Sequence, residues 1–202
     1  MTDSQLLARI DRIESHLAIS QLPSRYALSV DSRDLDTLVN LFVPDVECGR
    51  WGTGREALKA FYNKAIRDFY RCHHQIVGHV IDFDPTNPDA ASGKTYCRAE
   101  HEDDDQWVVM AICYFDHYQR IDGQWYFKSR DERHWYSSDI LARPGEPQLQ
   151  NWDKFTTARF QPRLPDTFAH WTDFWSQSTT EEIAAVTRHP IGETKIGEPK
   201  RK

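Results

Sequence analysis

The chain is predicted to fold as an α+β protein, with helices first and a curved antiparallel sheet after them. Three observations lead there. Apolar residues recur at helical spacing before Cys72, alternation of period two takes over from Cys72, and an Asp122-Gly123 pair separates two β-rich runs. An Asp-Gly pair in that position is the strongest short hairpin signal. Helices segregated from a meander of strands define the α+β class.

The elements follow in order. Leu6, Ile10, Ile13 and Leu17 step by 4, 3 and 4, the apolar stripe of an amphipathic helix that continues through Leu22 to Tyr26 and Leu28. Pro23 lacks a backbone N–H, so a kink or a break into two helices is expected near Ser20-Gln21. Asp34 to Phe42, acidic first and apolar after, reads as a short helix ending at Pro44, with a short strand expected at Val46–Trp51. Thr53-Gly54-Arg55-Glu56 opens another helix that runs through Phe61 and Ile66 to Phe69. Strands are expected over Cys72–Ile81, Ser92–Glu102, Val108–Tyr118 and Trp125–Ser137, with turns at Asp84-Pro85-Thr86-Asn87-Pro88 and Asp103-Asp104-Asp105. No internal repeat is present. The main domain is placed at 1–143 and an aromatic-rich extension at 144–178. The tail, 179–202, is expected to be flexible, with a helical turn or two at Thr180–Val186 and disorder from Pro190.

Composition bounds the function. Lys+Arg 25 against Asp+Glu 31 leaves a net charge of −6, which argues against a nucleic-acid or anionic-membrane partner. No apolar run reaches the roughly 18 residues of a membrane span, and the charged, amphipathic start is not a secretory signal, so a soluble cytoplasmic protein is expected. Cys48, Cys72, Cys97 and Cys113 form no CxxC and are expected to be reduced thiols. Gly52-Thr53-Gly54 lacks the context of a nucleotide loop, and no GxSxG motif occurs. Cys72, His73, His74 and His79 cluster, but strict alternation puts His74 on the face opposite His73 and His79, and their spacing fits no zinc pattern. No metal and no cofactor are therefore expected.

Taken together, Arg25-Tyr26…Asp31, the 34–42 helix, Asp45-Val46, the histidine-bearing strand and the Asp-Gly-Gln-Trp hairpin resemble the SnoaL-like branch of the NTF2-like superfamily. That branch includes scytalone dehydratase, the bile-acid 7α-dehydratases and hexachlorocyclohexane dehydrochlorinase. The likeness covers roughly residues 5 to 140. It implies a cone-shaped α+β barrel and a catalytic pair, a buried Asp on the second helix and a His early in the first long strand, matched here by Asp31 and His74. It also implies a site tyrosine, Tyr26, five residues before Asp31, and a substrate-contacting group on the last strand, with Arg130 and His134 the candidates. By alternation those two share a face with Tyr126, Lys128 and Glu132. His79 and Trp51 complete the candidate substrate contacts, and the choice among His73, His74 and His79 as the catalytic imidazole stays open.

The chemistry stands on the residue types. An elimination beside an acidified carbon needs a base for the proton and an acid for the leaving group, and histidine does both near neutral pH. A carboxylate on its other ring nitrogen fixes the tautomer and stabilises the imidazolium. Tyr and Arg are suitable donors to a developing oxyanion. The expected activity is thus a cofactor-independent lyase, a dehydratase or a related C–C cleavage such as deformylation. Its expected substrate is a hydrophobic, aromatic or polycyclic small molecule. A non-catalytic binding or assembly module, and a polyketide cyclase or isomerase, are the alternatives. Trp152, Phe155, Phe160, Phe168, Trp171, Phe174 and Trp175 are too many large apolar groups for a solvated tail. They are expected to pack on the pocket mouth or on a neighbouring subunit of a dimer or trimer.

Overall fold

A computed structural model describes residues 1–142, 152 and 168–187, with side chains to 183 in the last stretch. Helix α1 spans Asp3–Ser32 without interruption. Thr2 caps it by accepting from the Gln5 N–H, and the Gln5 side chain accepts from the Thr2 N–H in return. Of the kink or break expected near Ser20-Gln21, the break is absent. Pro23 lies inside the helix on its buried face, beside Ile19, Leu22, Tyr26 and Val30. Burying those side chains offsets a proline that costs about 3 kcal/mol in an exposed helix. The stripe Leu6, Ile10, Ile13 and Leu17 is exposed among the described residues, so only the C-terminal half of α1 enters the core.

Helices α2 (Leu35–Asn40) and α3 (Arg55–Ala65) follow, α3 running into a 3-10 turn at Ile66–Asp68. The short strand expected at Val46–Trp51 is instead a 3-10 turn at Gly49–Trp51 with a single bridge, Glu47 to Thr53. The positive φ of Gly49, Gly52 and Gly54 explains the loss of extended backbone there.

Strands β1 (Cys72–Phe83), β2 (Ala90–Asp103), β3 (Gln106–Ile121) and β4 (Gln124–Asp139) form an antiparallel meander in the order β1-β2-β3-β4. Edge strands of a flat four-stranded sheet stand about 14 Å apart, three spacings of ~4.8 Å. Helix α1 nevertheless packs against both β1 and β4. The sheet therefore curls around the helix, and its inner face becomes concave. The Leu41–Val43 segment pairs with Phe127 on the outer edge of β4 through Val43 N–H to Phe127 O and Phe127 N–H to Leu41 O.

Three bulges interrupt the register; the one at Trp135 lies beyond His134, and the other two decide which side chains face inward at the site. In β1 the register slips between Ile76 and Gly78, so Cys72, His74 and Ile76 point inward before Val77, and His79, Ile81 and Phe83 after it. In β4 a slip between Ser129 and Phe127 places Trp125 and Phe127 inward before Lys128, and Arg130, Glu132 and His134 after it. Two expectations fail for this reason. His79 shares the face of His74, and Tyr126 and Lys128 do not share the face of Arg130 and His134.

Beyond the sheet, Phe168 packs on Phe115, and α4 (Ala169–Ser176) and α5 (Thr180–Thr187) follow, α5 lying where a helical turn is expected. Trp152 is fully buried, whereas Phe174 and Trp171 are exposed among the described residues. Phe155, Phe160, the boundary at Arg143 and the disorder expected from Pro190 lie outside the described residues. The four cysteines are free thiols.

Candidate active site

Asp31 sits on the last turn of α1, not on a separate second helix, because α1 is continuous. Its Oδ1 lies 2.7 Å from His74 Nδ1, and its Oδ2 accepts the His74 backbone N–H at 2.9 Å. One carboxylate thus fixes both the ring and the main chain of His74. The acceptor carboxylate places the proton on Nδ1 and leaves Nε2 as the reactive nitrogen, which makes no hydrogen bond among the described residues. The His74 side chain is 7% exposed and that of Asp31 22%. Burial pushes the Asp31 carboxyl up, but the bonds from His74 and the thiol of Cys72 outweigh it and hold the carboxyl below its ordinary range.

Arg33 braces this pair. It closes α1 in the left-handed conformation, φ 64°, and its guanidinium reaches the Cys72 sulfur, Val30 O and Tyr70 O at 2.8, 2.8 and 2.9 Å. Cys72 in turn donates to Asp31 Oδ1 at 3.1 Å, and burial pushes its thiol up to about 11, so it stays a donor. Asp31, Cys72 and His74 bring their ligand atoms within 4.8 Å of one another. The Arg33 cation beside the sulfur and the hydrogen bonds already closed among the three favour a proton-bearing cluster over a divalent ion there.

The candidates on β4 are deep inside. Arg130 makes a bidentate pair with Asp116, directly opposite on β3, at 2.8 Å for both bonds, with side-chain exposures of 3% and 0%. Thr95 and Tyr118 hydroxyls also donate to Asp116 Oδ2. Burial works against the Arg130 charge, but the Asp116 charge and bonds outweigh it and raise its pKa. The guanidinium lies 4.4, 4.1 and 4.3 Å from the ring centres of Tyr26, Tyr114 and Phe127. Its remaining terminal nitrogen has no partner among the described residues. Arg130 is therefore committed to the core, with that one buried nitrogen left unpartnered. Tyr26 is buried in the same cage and accepts from the Tyr62 hydroxyl at 3.2 Å.

His79 meets the Tyr118 hydroxyl at 2.9 Å through Nε2. Tyr118 gives its one proton to Asp116, so His79 Nε2–H is the donor. Gly93 permits that approach, since a Cβ there would stand 2.7 Å from Val80 O and 3.2 Å from His79 Nε2. His134 places Nδ1 3.1 Å from Glu132 Oε1, while Trp51 stands apart in the 3-10 turn, edge-on to Phe61. His73 is exposed on the outer face.

His101, absent from the sequence reading, and Trp152, expected there only as a packing aromatic, complete the site. His101 stands edge-to-face with His74, ring centres 5.7 Å apart, and packs on Phe69 and Trp152 at 4.4 and 5.1 Å. Burial pushes its imidazole down to about 3, so it is neutral beside the dyad. Trp152 donates to Asp103 at 2.6 Å. Period two on β2 would have marked His101 as inward, on the same face as Cys97 and Ala99.

A curved antiparallel sheet wrapped on a long helix is the NTF2-like class of α+β fold, and here a carboxylate–imidazole pair lies on its inner face. Within that class the chain belongs to the SnoaL-like domain family, which matches residues 11–131. It is similar to the gamma-hexachlorocyclohexane dehydrochlorinase of Sphingobium indicum, 25% identical over 130 residues, 62% of this chain and 83% of that protein. Among solved structures it is similar to LinA, with 25% identity, a TM-score of 0.59, and 65% and 93% of the two chains covered. A further similar structure is described as a putative scytalone dehydratase of Novosphingobium aromaticivorans, with 26% identity, a TM-score of 0.56, and coverage of 67% and 93%.

Proposed function

We propose that the protein is a cofactor-independent lyase that takes a proton from a hydrophobic, aromatic small molecule and expels a leaving group, with His74 as base and Asp31 as its orienting carboxylate. The observation that carries the reading is the 2.7 Å contact of Asp31 with His74 Nδ1 on a nearly buried ring whose Nε2 remains uncommitted. Nε2 accepts the proton, and Asp31 stabilises the imidazolium so formed. The unpartnered Arg130 nitrogen, held among Tyr26, Tyr114 and Phe127, suits a developing oxyanion, and the aromatic content of the inner face suits a substrate that presents rings. Similarity to a dehydrochlorinase supports elimination as the reaction class.

His74→Ala is expected to lower kcat on the order of 10²-fold or more with the fold retained. The assay is a screen of aryl alcohols, diols and hydroxymethyl-bearing diaryl compounds, read by formation of the conjugated alkene. Formaldehyde release in the last group would assign C–C cleavage with the same base acting on the hydroxyl proton. A His74→Ala rate within about threefold of wild type would remove His74 from the mechanism. Activity is expected to survive dialysis against a strong chelator, and loss restored by one specific metal would overturn the cofactor-independent reading.

A further inference from the structure

The inner face carries a second carboxylate–imidazole pair. His134 Nδ1 lies 3.1 Å from Glu132 Oε1, and the His134 side chain is 3% exposed. Its Nε2 is buried with no partner among the described residues. A buried ring nitrogen without a partner is unfavourable, and a ligand that bonds it recovers that cost. The carboxylate on Nδ1 gives His134 the same polarity as His74, with Nε2 as the working nitrogen.

The position of this pair fits a partner for the dyad. His134 stands opposite Ile112, which stands opposite Cys97, which stands opposite Ile76, two residues along β1 from His74. The two imidazoles therefore rise from opposite edge strands of a sheet that curls around α1, and curvature brings such side chains toward each other. The Cys97 thiol between them is pushed up to about 12 by burial, with the Asp31 and Glu132 carboxylates both adding to the effect.

We infer that His134, held by Glu132, is the acid that protonates the leaving group while His74 removes the proton from carbon. This rests on the lyase reading above. In the step, His74 Nε2 takes the proton, and the C–H electron pair becomes the new π bond. The C–O bond breaks with its pair going to oxygen, and the His134 imidazolium gives its Nε2 proton to that oxygen. The products are the alkene and water, with His74 protonated and His134 neutral. Solvent exchange restores both. Two imidazoles divide the work that one histidine otherwise does in turn.

The test uses a pair of substrates with one product. 4-Hydroxy-4-phenylbutan-2-one loses hydroxide, which needs a proton, and its 4-chloro counterpart loses chloride, which does not. His134→Asn is expected to raise the ratio of kcat on the chloride to kcat on the alcohol by on the order of 10²-fold, with Glu132→Gln moving the ratio the same way by less. An unchanged ratio overturns the proposal. His74→Ala separates it from its parent, because loss of the base lowers both rates together, and retention of both sinks the lyase reading instead. Should His134→Asn fail to fold, Glu132→Gln supplies the ratio. Binding is read independently by NMR of ¹⁵N-histidine-labelled His74→Ala protein with the alcohol added. A shifted His134 Nε2 resonance supports contact, and an unmoved one overturns it.

Discussion

His101 shows how a residue can matter at the site without being free to react. Its ring is wedged between Phe69 and Trp152, edge-on to His74, and burial first, then the nearby His74, pushes its imidazole down to about 3. The unfolded chain binds the same proton near 6.5. The folded-state pKa is depressed, so the neutral form is the one that folding favours. Its contribution is whole above about 6.5 and is lost as pH falls toward about 3, because the unfolded state takes up a proton the folded state refuses. Urea unfolding at pH 7 and pH 5 is expected to show a clear drop for wild type and a smaller one for His101→Phe. Equal drops in both would assign the acid sensitivity elsewhere. At the same scale, Arg33→Ala is expected to loosen the Cys72–Asp31 contact and raise KM or lower kcat without unfolding the chain, as steady-state kinetics with a thermal melt would show.

Among the elements, α1 divides into a C-terminal half that enters the apolar core and an N-terminal half that meets the sheet through polar contacts such as Asp11 with Arg120 and leaves its leucines and isoleucines exposed. Ile19 is fully buried, so Ile19→Ala is expected to cost about 2–5 kcal/mol, whereas Leu7→Ser on the exposed stretch is expected to stay within about 0.5 kcal/mol. Chemical denaturation of the two variants checks this, and a large cost at Leu7 would mean that a partner covers that face. The spacing of Leu6, Ile10, Ile13 and Leu17 revealed the helix but not its surroundings, because periodicity reports a face and not what lies against it. Pro23 misled for a related reason: local cost is visible in a sequence, and the tertiary burial that outweighs it is not. Asp31 and His74 were legible by residue type and resemblance. Period two marks His101 as inward, but its contact with His74, like the partnership of Arg130 with Asp116, depends on strand register and neighbours, which no local pattern specifies.

For the whole molecule, the consequential contact is Trp152, which lies beyond the matched 11–131 domain yet is 1% exposed and bonded to Asp103. Trp152→Ala is expected to cost about 3–5 kcal/mol, and a melt within a few degrees of wild type would show the contact to be dispensable. Loss of the wall it provides for His101 is expected to reach the dyad as a lower kcat, since His101 stands between them. The bulges at Val77 and Lys128 carry a different consequence, for how such a protein can change. Each acts on side-chain parity as an inserted letter acts on a reading frame. Substitutions leave the inward set of a strand intact, but deleting one residue beyond a bulge exchanges that set with the solvent-facing set. Single-residue deletions in β1 or β4 are thus the quickest route from this site to no site, and paired insertion and deletion the shortest way back.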